Sequence, residues 1–493
     1  MQLSTFLFLC FLLLTFIIYV ILPKKIRWAW LLLASYAFCT YRDWRYAAIL
    51  LGVTLAAWLC GWAIGKSVER KTKKIWLTAG ILVVVGVLFV FKYLNFSLLV
   101  INDLARMLGG ADGFSLLNIL LSLGVSFYSF QSISYLLDIY NGVIEPEKNP
   151  GKFALYLAFF PKLISGPIER AADLLPQIAA PHKFEYERFV EALIRIFWGF
   201  FKKLVIADRL ALVVSTYFNA ENPAELWGPQ VILAAVAFSL QIYIDFSAYC
   251  DIAIGSARLF GIDLRENFNL PYLARTVTDF WRRWHITLTK WLTDYIYTPL
   301  TFASRKKRSK FYNYLNIFIT FLVSGIWHGA NYTFIVWGLL HGFYQVIEAA
   351  TQKLRQKVEK KLAGGFKGFL LAAAQVVVTF GLVTLAWVFF RADDLTYALA
   401  MLKNMVTLRG SLHAVAWDFS AIALTPADYW IIAISLVIFF IFEINNRQND
   451  LIARSLGWPL PLRWLAYLIL IFGVILFGYF GVFTAQDFIY AGF

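Results

Sequence analysis

The sequence predicts an all-α polytopic membrane protein of about eleven transmembrane helices, with further re-entrant or interfacial helices. Three observations predict it. Apolar residues make up 60% of the 493 positions and charged residues 15%, whereas a water-soluble chain carries roughly 25% charge. A chain so short of charge cannot cover a water-facing surface. The apolar residues also fall in runs near the length of about 20 residues that a spanning helix needs. Finally, the basic residues behind the net charge of +15 gather in short segments between those runs, as in the cytoplasmic loops of membrane proteins.

The runs in chain order are 2–22, 28–41, 46–65, 75–93, 117–138, 190–218, 230–260, 313–330, 332–350, 368–390, 430–443 and 464–482. The first, Gln2–Leu22, is uncharged and is followed by Lys24, Lys25 and Arg27. A signal peptide has the opposite charge order and a small-residue cleavage site, so this run reads as a retained span with an extracytoplasmic N-terminus. From that start, hairpins bring Lys24–Arg27, Lys66–Lys74, Arg305–Lys310, Lys353–Lys361 and the Arg447, Arg454 and Arg463 segment to one side. All of these basic segments then face the cytoplasm. The regions 95–107, 153–167 and 277–300 are apolar or aromatic but interrupted. Irregular backbone at membrane depth is tolerated only inside protein or beside a water-filled cavity, so these regions point to a central cavity.

No internal repeat and no Pro/Gly/Ser-rich linker divides the chain, which reads as one membrane domain over 1–493 with its core motifs in 153–350. No basic cluster is interleaved with aromatics on a polar stretch, as a nucleic-acid groove requires, so no nucleic-acid partner is expected. Membrane lipid is the expected surrounding. The four cysteines, Cys10, Cys39, Cys60 and Cys250, lie in apolar stretches and form no Cys-x-x-Cys pair. Neither a disulfide framework nor a zinc site is indicated.

Ionisable residues inside apolar segments are costly and are functional candidates by default. Of five histidines, His182 and His413 lie in polar loops. His328 stands in Ser324-Gly-Ile-Trp-His-Gly-Ala-Asn331, flanked by Gly325 and Gly329, which could let a substrate or another backbone come close. Imidazole takes and gives a proton near neutral pH, so His328 is the candidate catalytic base. A core histidine bonded to a neighbouring helix is the alternative. His285 stands in Asp279-Phe-Trp-Arg-Arg-Trp-His-Ile-Thr-Leu288. An interfacial helix with Trp anchors and snorkelling Arg side chains explains Trp281, Arg282, Arg283 and Trp284, and explains His285 less well. His341 reads as a packing histidine. Asp245 and Asp251 could pair with Arg282 or Arg283, line a cavity or orient a histidine. Phosphate-loop, His-Glu-x-x-His and Gly-x-Ser-x-Gly patterns are absent, no plausible set of metal ligands is visible, and the chemistry left is proton transfer by histidine.

These motifs resemble the membrane-bound O-acyltransferases, in the branch of alginate O-acetyltransferases and their bacterial relatives. The resemblance rests on an ordered set: Phe159-Phe-Pro161 with Ser165-Gly-Pro-Ile168, Asp245-Phe-Ser-Ala-Tyr-Cys-Asp251, Asn267-Phe-Asn-Leu-Pro-Tyr272, Phe280-Trp-Arg-Arg-Trp-His285 and Trp327-His-Gly329. The family's catalytic histidine matches His328 and its second characteristic histidine matches His285. Trp327, Asn331, Trp284, Arg282 and Asp279 become the expected substrate-binding residues. The resemblance implies a ring of helices around a central channel, where donor and acceptor meet from opposite membrane faces. It also implies a bacterial cytoplasmic-membrane enzyme without a bound cofactor. Such an enzyme would move an acetyl group from a thioester, acetyl-CoA or an acyl carrier protein, towards an exopolysaccharide with the help of an extracytoplasmic partner protein. Two features depart from the branch, Thr301-Phe-Ala-Ser-Arg-Lys-Lys-Arg308 after Tyr297-Thr-Pro-Leu300 and Lys290, and both lie beside the expected donor side. D-alanyl transfer to teichoic acid is the alternative within the class. A proton-coupled transporter and a structural scaffold for polysaccharide export are the readings from other classes.

Overall fold

Apolar runs separated by charge and by Gly or Pro fold into helices throughout, with no strand among the described residues. The structure is a computed structural model that describes residues 3–110, 113–119, 124–304, 309–407 and 422–480. Six helices among them are long and apolar enough to cross a membrane: Trp44–Lys66, Arg70–Met107, Gly228–Leu259, Gly365–Arg391, Pro426–Arg447 and Leu460–Phe477. A shorter apolar helix, Phe6–Ile21, precedes them. Their outer faces leave large apolar side chains uncovered, among them Val377, Ile469 and Leu476 at 69%, 64% and 71% exposure. In water such faces would drive aggregation; against lipid they are the ordinary outer surface of a membrane protein.

About eleven spans were expected, and the remaining runs differ for a physical reason. Arg27–Thr40 has 14 residues, too few to cross. Val125–Tyr140 buries Ser126, Ser129, Gln131, Ser132, Ser134 and Asp138. Lys310–His328 buries Asn316, Thr320, Ser324 and His328. These helices turn polar side chains into the protein and so fall short on hydropathy.

Three boundaries also move. The 95–107 region, read from the sequence as interfacial, continues the Arg70–Met107 helix through a π-helical stretch at Phe89–Tyr93. In the 117–138 run, the helix among the described residues is Val125–Tyr140. Gly124 stands before it at φ 70°, and a Cβ there would lie 2.3 Å from the Leu163 carbonyl oxygen. The 353–361 cluster is the end of the helix Tyr332–Leu362 rather than a loop, because Gln, Lys, Arg, Glu and Leu are strong helix formers. Residues 305–308 of the Arg305–Lys310 cluster, and His413, lie outside the described residues.

Two compact units are distinguished, Met1–Ile196 with Tyr249–Arg265 and Phe197–Ala248 with Glu266–Phe493. In the first, the Phe159-Phe-Pro161 signature breaks the chain between the helices Pro150–Ala158 and Phe160–Leu163. The Phe160 amide donates to the Ser35 hydroxyl at 3.1 Å, and buried Lys162 donates to the Gln131 side chain at 2.6 Å. Asp251 is paired here with Arg195 at 2.9 Å.

In the second unit, the π-helical stretch Phe201–Ala207 carries buried cations that are matched by acids. Lys203 lies 2.9 Å from Asp208 and 3.0 Å from Asp245. Arg209 lies 2.8 Å from Asp428. Matching of this kind keeps buried charge from costing several kcal/mol. Asp245 and Asp251 are therefore ion-pair residues, with Lys203 and Arg195 as partners in place of Arg282 and Arg283.

The helices Lys310–His328 and Tyr332–Leu362 form a close hairpin. Asn331 caps the second, its side chain accepting from the Thr333 amide at 3.1 Å. The backbones touch at Gly325 and Gly338: a Cβ on Gly325 would lie 2.4 Å from the Phe334 carbonyl oxygen. Small residues let membrane helices approach in this way. Gly325→Ala is expected to push the hairpin apart and lower stability by about 1–3 kcal/mol, read as a lower midpoint of thermal unfolding in detergent. An unchanged midpoint would contradict the close packing.

Candidate active site

The site begins with a deliberate break in the chain. Val277–Arg283 and Ile286–Leu292 are short helices separated by Trp284 and His285. His285 sits at φ 41°, ψ 54°, in the left-handed region that costs a non-glycine residue about 1–2 kcal/mol. The surroundings hold it there. The Ile286 amide donates to the Asn267 carbonyl at 2.9 Å, and the Thr287 amide and hydroxyl both donate to the Asn267 side-chain oxygen, at 3.2 and 2.7 Å. Further along, the Asn269 amide donates to the Arg283 carbonyl at 2.9 Å. The Asn267–Tyr272 motif is therefore the splint that fixes the break. Its outcome is a fully buried imidazole, 0% exposed, with its ring 4.9 Å from that of Phe246. Asp245, paired with Lys203, and Ser247, which accepts from Lys202 at 3.1 Å, anchor that wall.

His328 is the last residue of Lys310–His328 and is 2% exposed. Its ring stands in an aromatic box, with centroids 4.9 Å from Trp327, 4.8 Å from Trp337 and 5.3 Å from Phe390. The His285 ring is 6.5 Å away, and Trp327 lies 5.9 Å from His285. Gly329 admits the Phe334 ring, which a Cβ would meet at 2.0 Å, so both glycines beside His328 serve packing.

Several buried polar atoms around the box have no hydrogen-bond partner among the described residues: Trp284 Nε1, Ser324 Oγ, Thr333 Oγ1, Trp337 Nε1 and His341 Nε2. His341 accepts from Trp281 Nε1 at 3.2 Å through Nδ1, which puts the proton of the neutral ring on the unpartnered Nε2. An unsatisfied buried polar atom costs about 1–3 kcal/mol. A group of them beside buried imidazoles offers donors and acceptors to a polar ligand or water.

A cavity of about 590 Å³ reaches this region, and Ser324 lines it one helical turn before His328. The opposite wall is one face of the helix Tyr332–Leu362. Gln345, Glu348, Gln352 and Arg355 line the cavity, and their spacing of three, four and three residues continues the face that carries Trp337 and His341. Both Glu348 carboxylate oxygens are spent on the start of Val277–Arg283: Oε1 accepts from the Val277 amide at 2.6 Å, and Oε2 from the Thr278 amide and hydroxyl at 2.9 and 2.7 Å. The Glu348 carboxylate is thus held at the positive end of a helix, and the cations lining the cavity are Arg282 and Arg355.

The structure brings His285, His328, Trp284 and Trp327 into one cluster and places Arg282 on the cavity wall. It does not bring Asp279 or Asn331 there. Asp279 pairs with Arg283 at 3.0 Å, and the Asn331 amide donates to the Asp393 carbonyl at 2.7 Å while its oxygen caps the helix. Sequence reasoning missed Asn267, Ser324 and the Glu348–Arg355 stripe. The stripe was legible as polar residues at helical spacing in a run that turns apolar on its other faces.

The sequence model of the membrane-bound O-acyltransferase family matches residues 148–391, which include both histidines and the residues named around the cavity. The protein named Probable alginate O-acetylase AlgI of Pseudomonas aeruginosa is 39% identical over 394 residues, 79% of this chain and 71% of its own. The Peptidoglycan O-acetyltransferase of Helicobacter pylori is 35% identical over 411 residues, 77% of this chain and 74% of its own. The Teichoic acid D-alanyltransferase of Bacillus subtilis is 27% identical over 281 residues, 55% of this chain and 69% of its own.

Proposed function

The chain belongs to the membrane-bound O-acyltransferase family and is an O-acyltransferase, and from that premise we propose that it carries acetyl groups to a polysaccharide outside the cytoplasmic membrane. The observation that carries this reading is the polar cavity that ends one helical turn from a buried histidine pair. An acetyl thioester, acetyl-CoA in the simplest case, enters from the side of the basic segments and lays its thioester beside His328. The acceptor reaches His328 from the opposite face.

In the transfer step His328 takes the proton of the acceptor hydroxyl as its oxygen attacks the acyl carbon. The C–O bond forms, the C–S bond breaks, and the imidazolium returns the proton to the leaving thiolate. His285 positions the acyl group, with Trp284 and Trp327 walling the pocket and excluding water. Arg282 holds the donor's charge. Asp279 and Asn331 act by holding Arg283 and the turn after His328. An exported partner protein completes delivery to the polymer.

Similarity to a teichoic acid D-alanyltransferase favours one second reading, D-alanyl transfer from a carrier protein. Deleting the gene and hydrolysing the esters of the cell-surface polymers separates the two. Loss of ester-linked acetate with unchanged D-alanine is the expected result. Loss of D-alanine alone would establish the second reading, and no change in either ester would refute acyl transfer to a surface polymer.

A further inference from the structure

A second cavity, of about 280 Å³, lies within the first unit and carries no part of the chemistry above. Its rim holds Lys24, Lys25, Arg27 and Lys152 beside His182, and no Asp or Glu lines it. Arg27 is fixed there without neutralisation: it donates to the carbonyls of Leu22, His182 and Val20 at 3.0, 3.0 and 2.9 Å. Its guanidinium lies 4.9 Å from the Tyr19 ring centroid. Among the described residues, none of the three lysines has an ion-pair partner. Among the described residues, the charge of this rim is therefore not balanced by an acid lining the cavity.

The floor has the opposite character, formed by Trp28, Leu31, Leu155 and Ile262. The cavity also adjoins the end of the apolar helix Phe6–Ile21, whose Ile17 and Ile21 are 47% and 75% exposed. Basic rim, aromatic side chains at the end of an apolar helix and an adjoining lipid-facing surface occur together where anionic headgroups are held between helices. A soluble anion would use the rim and leave the floor and the exposed helix face without a role.

We propose that this cavity binds the phosphate headgroup of an anionic membrane lipid, whose acyl chains lie along the exposed face of Phe6–Ile21. On the orientation that the basic segments predict, the lipid belongs to the cytoplasmic leaflet.

The test uses the full chain purified in detergent, with bound lipid counted by native mass spectrometry during titration with phosphatidylglycerol. Lys24→Gln with Lys152→Gln removes two rim charges but keeps Lys25, for the topology signal, and Arg27, for its carbonyl bonds. Lys24→Arg with Lys152→Arg is the control for folding. Saturable phosphatidylglycerol binding is expected, weakened roughly 30-fold in the glutamine pair at about 1 kcal/mol per lysine, and restored in the arginine pair. Equal affinity in the glutamine pair would overturn the proposal. Equal binding of phosphatidylcholine, or displacement of the lipid by millimolar inorganic phosphate, would overturn the assignment to an anionic lipid.

Discussion

Replacing His328 by alanine lowers acyl transfer by about 10²–10⁴-fold, the range lost when a positioned general base is removed, while the chain still inserts and folds. The size follows from where the side chain stands. His328 closes its helix inside a box of Trp327, Trp337 and Phe390 rings, and those carbon faces offer no substitute base. His285 is 6.5 Å away between ring centroids and is held by its own backbone turn, so it cannot swing across to replace the lost imidazole. His328→Gln separates proton transfer from hydrogen bonding: glutamine keeps a donor and an acceptor but does not titrate near neutral pH. It is expected to lose nearly as much activity as alanine. The measurement is transfer of labelled acetate from acetyl-CoA to a soluble acceptor sugar, in proteoliposomes with equal amounts of inserted protein. Activity within threefold of wild type in both variants would remove His328 from the chemistry.

How much of this was legible beforehand differs by element. The two histidines, and the interruption of the chain around one of them, could be read because charge and imidazole are rare in apolar runs and stand out at single-residue resolution. The αL turn at His285 could not be read. Nothing local to His285 specifies it, and it exists because Asn267, some eighteen residues earlier, supplies the bonds that hold it. The pairing of Asp245 with Lys203 was hidden for the same reason, since periodicity shows which face a residue takes but not which distant face it meets. Six helices stand out as spans by length and hydropathy among the described residues; helices such as Lys310–His328, which turn Asn, Thr and Ser inwards, do not, because hydropathy averages the lipid-facing and the interior sides together. The stripe from Trp337 to Arg355 was visible in principle at three- and four-residue spacing. It was masked by the basic cluster at 353–361, which reads equally well as a loop.

That stripe carries the second large effect. Arg282→Ala combined with Arg355→Ala is expected to raise KM for the thioester donor by about 10²–10⁴-fold and to leave kcat within about threefold. Each arginine can give a charge-assisted hydrogen bond worth about 1.5–3 kcal/mol, and a phosphate-bearing donor is the ligand that two planar cations recognise. Arg355 is ready for it: one guanidinium nitrogen donates to the Glu348 carbonyl at 2.9 Å, while buried Nε has no partner among the described residues. The effect falls on binding because of distance. From His341 to Arg355 the helix rises about 21 Å at 1.5 Å per residue, so Arg355 meets the far end of the donor while the acyl carbon lies near His328. A fall in kcat at constant KM would place the arginines at the reacting atoms and reverse this assignment of the cavity. The same variants report the donor's identity. If acetyl-CoA is the donor, free CoA inhibits the wild type competitively and the double variant loses that inhibition in step with its KM. If a carrier protein delivers the acyl group, free CoA competes with neither, because the carrier's own surface supplies the binding energy and its single phosphate cannot be displaced by so weak a rival.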